Sequence, residues 1–198
     1  MSRERSVREV NAERNRARIL EGTIRVYRRK GLKLTMDDIA AELGMSKKSI
    51  YAAYRSKDEL FISMVDTIFD GIRESKRGII EDPGLSTMQK IHAVLGAMPE
   101  SYADIEFSGL SGLKESFPKV YDRLEYRLET DWESTLALMS RGIEEGVIRP
   151  VSLPVVKVTL ESTLEKFFQS DALIKNGLSY SEALRELVDI IVKGIEVR

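Results

Sequence analysis

The residue types needed for covalent or metal chemistry are scarce in this chain. Cysteine is absent and His92 is the one histidine. Disulfides, thiolate nucleophiles and thiolate metal sites are therefore excluded, and a histidine triad or metal centre lacks material. No glycine-rich phosphate loop and no metal-ligand spacing is present, and the carboxylates scatter over helix surfaces. Neither an enzyme nor a cofactor is expected, and His92 reads as a surface or hydrogen-bonded helix residue. Hydrogen-bond donors do concentrate in one place. In "GMSKKSIYAAYRSK", Gly44 to Lys57, two hydroxyls and two ammonium groups crowd the start of a short helix at Ser46, Lys47, Lys48 and Ser49, and Tyr51 follows one turn later. Such donors suit phosphate oxygens and the acceptor edge of guanine.

The elements that must position these residues read as helices throughout. Ile19, Leu20, Thr23, Ile24 and Tyr27 stripe a first helix, which Gly31 ends. Thr35 begins "TMDD" and opens a second helix holding Ile39, Ala40 and Leu43; Gly44 stops it, and Ser46 caps a third running to about Tyr54. Ser56 starts "SKDE", a capping box, before a long fourth helix with Phe61, Met64, Val65, Ile68, Phe69 and Ile72 on one face. Further capping boxes stand at Ser86 and Ser179. Pro118 is expected to start one long helix carrying Val120, Leu124, Leu128, Trp132, Leu136, Met139 and Ile143 to Gly146. Another is expected from Val155 to Lys175, and Leu184, Leu187, Val188, Ile191 and Ile195 stripe the last. The expected class is all-α with about nine helices.

Ile39, Leu43, Met45 and Ile50 are placed to share a small core between two steeply crossing helices, with Ala40 at the crossing and Gly44 supplying the positive φ of a tight corner. That is a helix-turn-helix, whose second helix presents its N-terminal residues to the DNA major groove. A structural corner with a solvated lysine pair gives the same pattern. Charge favours DNA: residues 1–60 hold 15 Lys+Arg against 9 Asp+Glu, a balance of +6, whereas residues 61–198 hold 16 against 23, or −7.

"TMDDIAAELGMSKKSIYAAYRSKDEL" resembles the DNA-binding domain of TetR-family bacterial transcriptional regulators, over about residues 14–66. The likeness rests on Thr35, Ile39-Ala40, the Gly44 turn, Ile50-Tyr51 with Tyr54, and Ser56-Lys57 followed by Asp58-Glu59-Leu60. It implies phosphate contacts from Thr35, Tyr51 and Lys57, base or phosphate contacts from Lys47, Lys48 and Ser49, and a core role for Tyr54. The family often has a small residue where Lys48 stands and a bulky one or histidine near Ala52 and Ala53, which throws more of the affinity onto Lys47 and Lys48. Arg3, Arg5, Arg8, Arg14, Arg16 and Arg18 form either an arm along the DNA or a solvated tail diluted by Glu4, Glu9 and Glu13.

The resemblance divides the chain into a head, 1–58, and an effector-binding and dimerisation body, 59–198. The last two long helices are apolar on more than one face, as a symmetric four-helix dimer interface or a deep monomeric core requires. Tyr102, Phe107, Trp132, Met139, Phe167 and Phe168 are candidate pocket residues, for each of which plain core packing is the alternative. Without an evident cluster of buried charge, a mainly apolar effector is expected. The whole reading is a cytoplasmic repressor dimer on a palindromic operator, set against an activator of the same fold or a helical protein-binding adaptor.

Overall fold

Five helices begin where a hydroxyl takes over an orphan backbone donor. Thr35, Ser46, Ser56, Ser86 and Ser179 each accept the N–H three residues on, which satisfies one of the four unpaired donors at a helix start. The computed structural model describes residues 2–99, 102, 110 and 112–197, without the side chains of residues 2–8. Its helices are α1 (Ser2–Lys30), α2 (Met36–Leu43), α3 (Lys47–Ala53), α4 (Lys57–Glu81), α5 (Thr87–Leu95), α6 (Leu113–Ser116), α7 (Pro118–Glu129), α8 (Glu133–Glu144), α9 (Leu153–Gln169), α10 (Ala172–Lys175) and α11 (Tyr180–Ile195). Nine of these exceed a single turn, as expected. The class is all-α, and among the described residues the only β pairing is an isolated bridge between Ile148 and Glu196. No described helix is long and apolar enough to cross a membrane.

Three sequence expectations are corrected. The box at Ser56 closes on one side only, because Glu59 reaches past it to the Arg55 N–H at 2.8 Å while Arg16 holds its other oxygen. The long helix from Pro118 is two, α7 and α8. Thr130 donates to the Tyr126 carbonyl at 2.9 Å, the Trp132 indole donates to that of Leu128 at 2.8 Å, and Asp131 turns to φ 62° between them. Asp131 is held there by Arg127 at 3.2 Å. The helix expected to Lys175 stops at Gln169, where Ser170 donates to the Lys166 carbonyl at 2.9 Å, and α10 follows as a separate turn. Local side chains that capture carbonyls end a helix which hydrophobic spacing alone would continue.

One apolar cluster runs from Ile19, Ile24, Ile39 and Ile50 in the head through Leu60, Phe61, Met64 and Ile68 of α4 to Val120 and Leu124 of α7 and Leu184 and Val188 of α11. A second joins Ile91 and Val94 of α5 to Met139 of α8, Ile148, and Leu160 of α9. Removing each such side chain from water stabilises the fold by roughly 1.5–3 kcal/mol. Helix α4 therefore belongs to both parts: its first turns complete the head's core, and the rest lies along α7 in the body. At its far end Lys90 of α5 donates to the Ile80 carbonyl at 2.8 Å and caps it.

Candidate functional site

Between α2 and α3 the backbone turns on Gly44, at φ 61° and ψ 34°, in the left-handed region that glycine enters without a Cβ penalty. Ile39, Leu43 and Ile50 are buried at the corner as expected. Helix α1 crosses α2 so closely that a Cβ on Gly22 would lie 2.6 Å from Leu43 Cδ2. Two arginines then fasten α1 to the corner. Arg18 donates to the Leu43 carbonyl at 3.1 Å, at the end of α2, and Arg16 donates to the Ala53 carbonyl at the end of α3. The Arg16 guanidinium also lies 4.1 Å from the Tyr54 ring centre, and the Tyr54 hydroxyl donates to the Arg16 carbonyl at 3.2 Å. Tyr54 is buried, the core role the resemblance implied. Arg16 and Arg18 are thus braces of the head, and residues 2–17 lengthen α1. Arg14 is exposed; the side chains of Arg3, Arg5 and Arg8 lie outside the described residues.

The tip of α3 faces solvent. Ser46, Lys47, Lys48 and Tyr51 are exposed and Ser49 is half-buried. Ser46 Oγ accepts the Ser49 N–H at 3.1 Å, and the two hydroxyls lie 2.8 Å apart, so this pair fixes the first turn as well as lining its surface. Lys47 donates to Asp37 of α2 at 2.8 Å, and that carboxylate raises the lysine's pKa. Lys48 has no hydrogen bond or ion pair among the described residues and stands as a solvated cation. Thr35 forms the full box with Asp38: its N–H and hydroxyl donate to Asp38 Oδ2 at 2.8 and 2.9 Å. Lys30 donates to the other Asp38 oxygen at 2.6 Å, and with the Thr35 bonds it lowers that carboxyl's pKa to about 2. The outer edge of α2 is thereby neutralised where an anion would otherwise be repelled.

Lys57 is turned inward. Its ammonium donates to the Leu32 carbonyl at 2.9 Å and lies 5.0 and 4.7 Å from the ring centres of Phe61 and Phe117, and burial lowers its pKa. A phosphate contact from it requires release from Leu32.

Beneath the head a cavity of about 130 Å³ follows α4 from Phe61 to Lys76, lined toward the head by Tyr27 and Leu32 and at the far end by Arg73, Lys76, Arg127 and Trp132. Its length along α4 is about 22 Å at 1.5 Å per residue, and most of its wall is aliphatic or aromatic. Of the candidate pocket residues, Trp132 and Phe168 line it, whereas Tyr102, Phe167 and Met139 do not. Tyr102 instead packs beside Gly71, Phe167 meets Tyr180 edge-on, and Met139 is buried in the second core cluster. Phe107 lies outside the described residues. Sequence reasoning missed the ion network around the buried Arg127. Arg127, 7% exposed, bonds Asp66 at 3.4 Å, Asp70 at 3.0 Å and Asp131 at 3.2 Å, and Arg123 bonds Asp66 at 2.7 Å. The signal was there: Asp66 and Asp70 are four apart, as are Arg123, Arg127 and Asp131, which puts each set on one helix face.

A three-helix head with a cationic, solvent-facing helix tip, joined by one shared helix to a body with an internal cavity, defines the class of one-chain DNA-binding regulators. Residues 19–64 match the family described as bacterial regulatory proteins, tetR family. The chain is 27% identical over 178 residues to the uncharacterized HTH-type transcriptional regulator YvaF of Bacillus subtilis (strain 168), covering 90% of this chain and 94% of that one. It is 28% identical over 189 residues to YfiR of the same organism, covering 86% and 83%. A TetR transcription regulator from Haloarcula marismortui shares the fold, with a TM-score of 0.70 at 18% identity over 93% of this chain and all of that one. Residues 19–64 thus form a DNA-binding head of the tetR-family kind, and over most of its length the chain is similar to HTH-type transcriptional regulators.

Proposed function

We propose that the chain is a repressor that binds a palindromic operator as a dimer and is released by a small effector held in the body cavity. Lys47, Lys48, Ser49 and Tyr51 meet base edges and phosphates from the start of α3. Thr35 and Ser46 add phosphate contacts, and Lys57 joins them when it leaves Leu32. The observation that carries the reading is that α4 serves both functions: Phe61 lines the cavity and packs in the head's core, while Lys57, one turn before it, ties the Leu32 carbonyl next to α2. Leu32 itself lines the cavity. A ligand that spreads the cavity wall therefore acts on both the start of α4 and the segment leading into α2. A coupling of about 1–3 kcal/mol, or roughly 5–150-fold in affinity, is the usual scale.

Dimerisation is supported by apolar side chains left in solvent on the last two long helices, Val155 and Val158 of α9 and Ile190 of α11. Two heads one helical turn apart, roughly 34 Å, read a palindrome. Selection of bound duplexes from a random pool, with sizing of the free protein, tests this. Enrichment of an inverted repeat by a dimer is expected; an unpaired single site, or a monomer, contradicts it.

A further inference from the structure

The cavity's far end and the ion network behind it carry one cation more than their carboxylates can match. Asp66, Asp70 and Asp131 face three arginines: Arg123 and Arg127 through the contacts above, and Arg73 at 3.0 Å from Asp70 and 3.7 Å from Asp131. Lys76 is the fourth cation and has no hydrogen bond or ion pair among the described residues; its ammonium lies 5.3 Å from the Trp132 ring centre. Burial holds its pKa below that of an ordinary lysine, with Asp131 opposing the shift. Beside it Arg127, itself nine-tenths buried, keeps its Nε without an acceptor. Both residues line the cavity. The rest of the wall, from Trp132 back to Phe61 and Tyr27, offers dispersion contacts and little else.

We infer that the effector is an amphipathic acid, with a single carboxylate seated against Lys76 and the Arg127 Nε–H and an unbranched apolar tail directed along α4 toward Phe61. The assignment rests on reading the cavity as the effector site and adds the ligand's chemical class to it. An anionic head beside Lys76 supplies the partner that burial denies the ammonium, and about 130 Å³ spread along roughly 22 Å of α4 admits a chain more readily than a fused-ring body. A cationic head is disfavoured because each of the three carboxylates is already engaged by arginine. The cavity's about 130 Å³ is below the roughly 300–1,000 Å³ of ligand-filled clefts. Seating the tail therefore moves the α4 and α7 walls apart, which is the displacement that release of DNA requires.

Trp132 is the one tryptophan in the chain, so its emission reports on the head-group end directly. The full-length protein is titrated below micelle-forming concentrations with dodecanoate, dodecanol and dodecylammonium. Dodecanoate is expected to bind at least about tenfold more tightly than dodecanol, the scale of a charge-assisted bond. Lys76→Met should bring the two to within about twofold, since the substitution removes the ammonium and orphans no carboxylate. The inference is overturned if dodecanol or dodecylammonium binds the unaltered protein as tightly as dodecanoate, if Lys76→Met keeps the preference, or if none of the three binds. Selected operator duplex is present in a parallel titration. Release by dodecanol without carboxylate preference sinks the ligand class and leaves the regulator reading standing. Tight dodecanoate binding without release does the reverse.

Discussion

Lys47 and Lys48 are neighbours in sequence but differ in circumstance, and this makes their contributions separable. Lys48 is a solvated cation, whereas Lys47 is held by Asp37 at 2.8 Å, so under the proposed contacts Lys47 alone would have to give up a partner. Lys48→Ala is expected to weaken operator binding by about 5–150-fold where it reads a base, and Lys47→Ala by less. Asp37→Asn should strengthen binding, because it frees Lys47 and removes a negative charge facing phosphate. Anisotropy titrations of the three variants check the order, and a weakened Asp37→Asn would contradict it. Asp38 gives a pH signature at the same edge. Its carboxyl is lowered from 3.8 to about 2, first by the Lys30 bond and then by the Thr35 backbone and hydroxyl bonds. A group depressed on folding stabilises above its unfolded pKa and loses that contribution as pH falls through the folded one. The head should accordingly weaken between about pH 4 and pH 2. Side-chain carboxyl NMR should find the Asp38 midpoint near the bottom of that window; a midpoint at 3.8 would remove the capping account.

At the scale of elements, what could be read from sequence was what is local. A hydroxyl three residues ahead of an acid or amide marks a helix start whatever surrounds it, and the four expected caps of that kind are present, with Ser46, ahead of Ser49, the fifth. Gly44 was likewise legible, since few other residues tolerate its φ. The break at Asp131 was not, because it depends on Arg127 being held by Asp66 and Asp70 from α4, 61 and 57 residues away. The close crossing of α1 and α2 at Gly22 was missed for the same reason: nothing in its own helix calls for glycine. Gly22→Ala raises helix propensity by about 1 kcal/mol. It also drives a Cβ against Leu43, whose branch carbon Cγ is itself only 2.8 Å away. Overpacking of about 1–3 kcal/mol should prevail and lower the denaturation midpoint; an unchanged or raised midpoint would show that the two helices can separate freely.

Over the whole molecule, the segregation of charge visible in composition becomes a division of labour. Among the head's cations, Arg16, Arg18, Arg25 and Arg29 are occupied in bracing α1 to the corner, and Lys30, Lys47 and Lys57 each hold a partner, while Lys48 stands clear at the tip. The count of +6 therefore overstates what reaches DNA, and the few cations at the exposed tip matter more than the total. No cluster of buried charge was evident in the sequence and a mainly apolar effector was expected, yet beside the cavity's end stand paired ions that only the packing of α4 on α7 brings together. The central claim is that the α3 tip docks on a DNA duplex through its lysines. Its most direct test is the affinity of the intact protein for a labelled random-sequence duplex across a salt series, beside the Lys47→Ala/Lys48→Ala variant. Binding in dilute buffer is expected, with log affinity falling linearly with log salt. The variant's slope should be shallower by roughly one for each phosphate that a lysine no longer neutralises. No retention of duplex at low salt, or the same slope in both proteins, would contradict it.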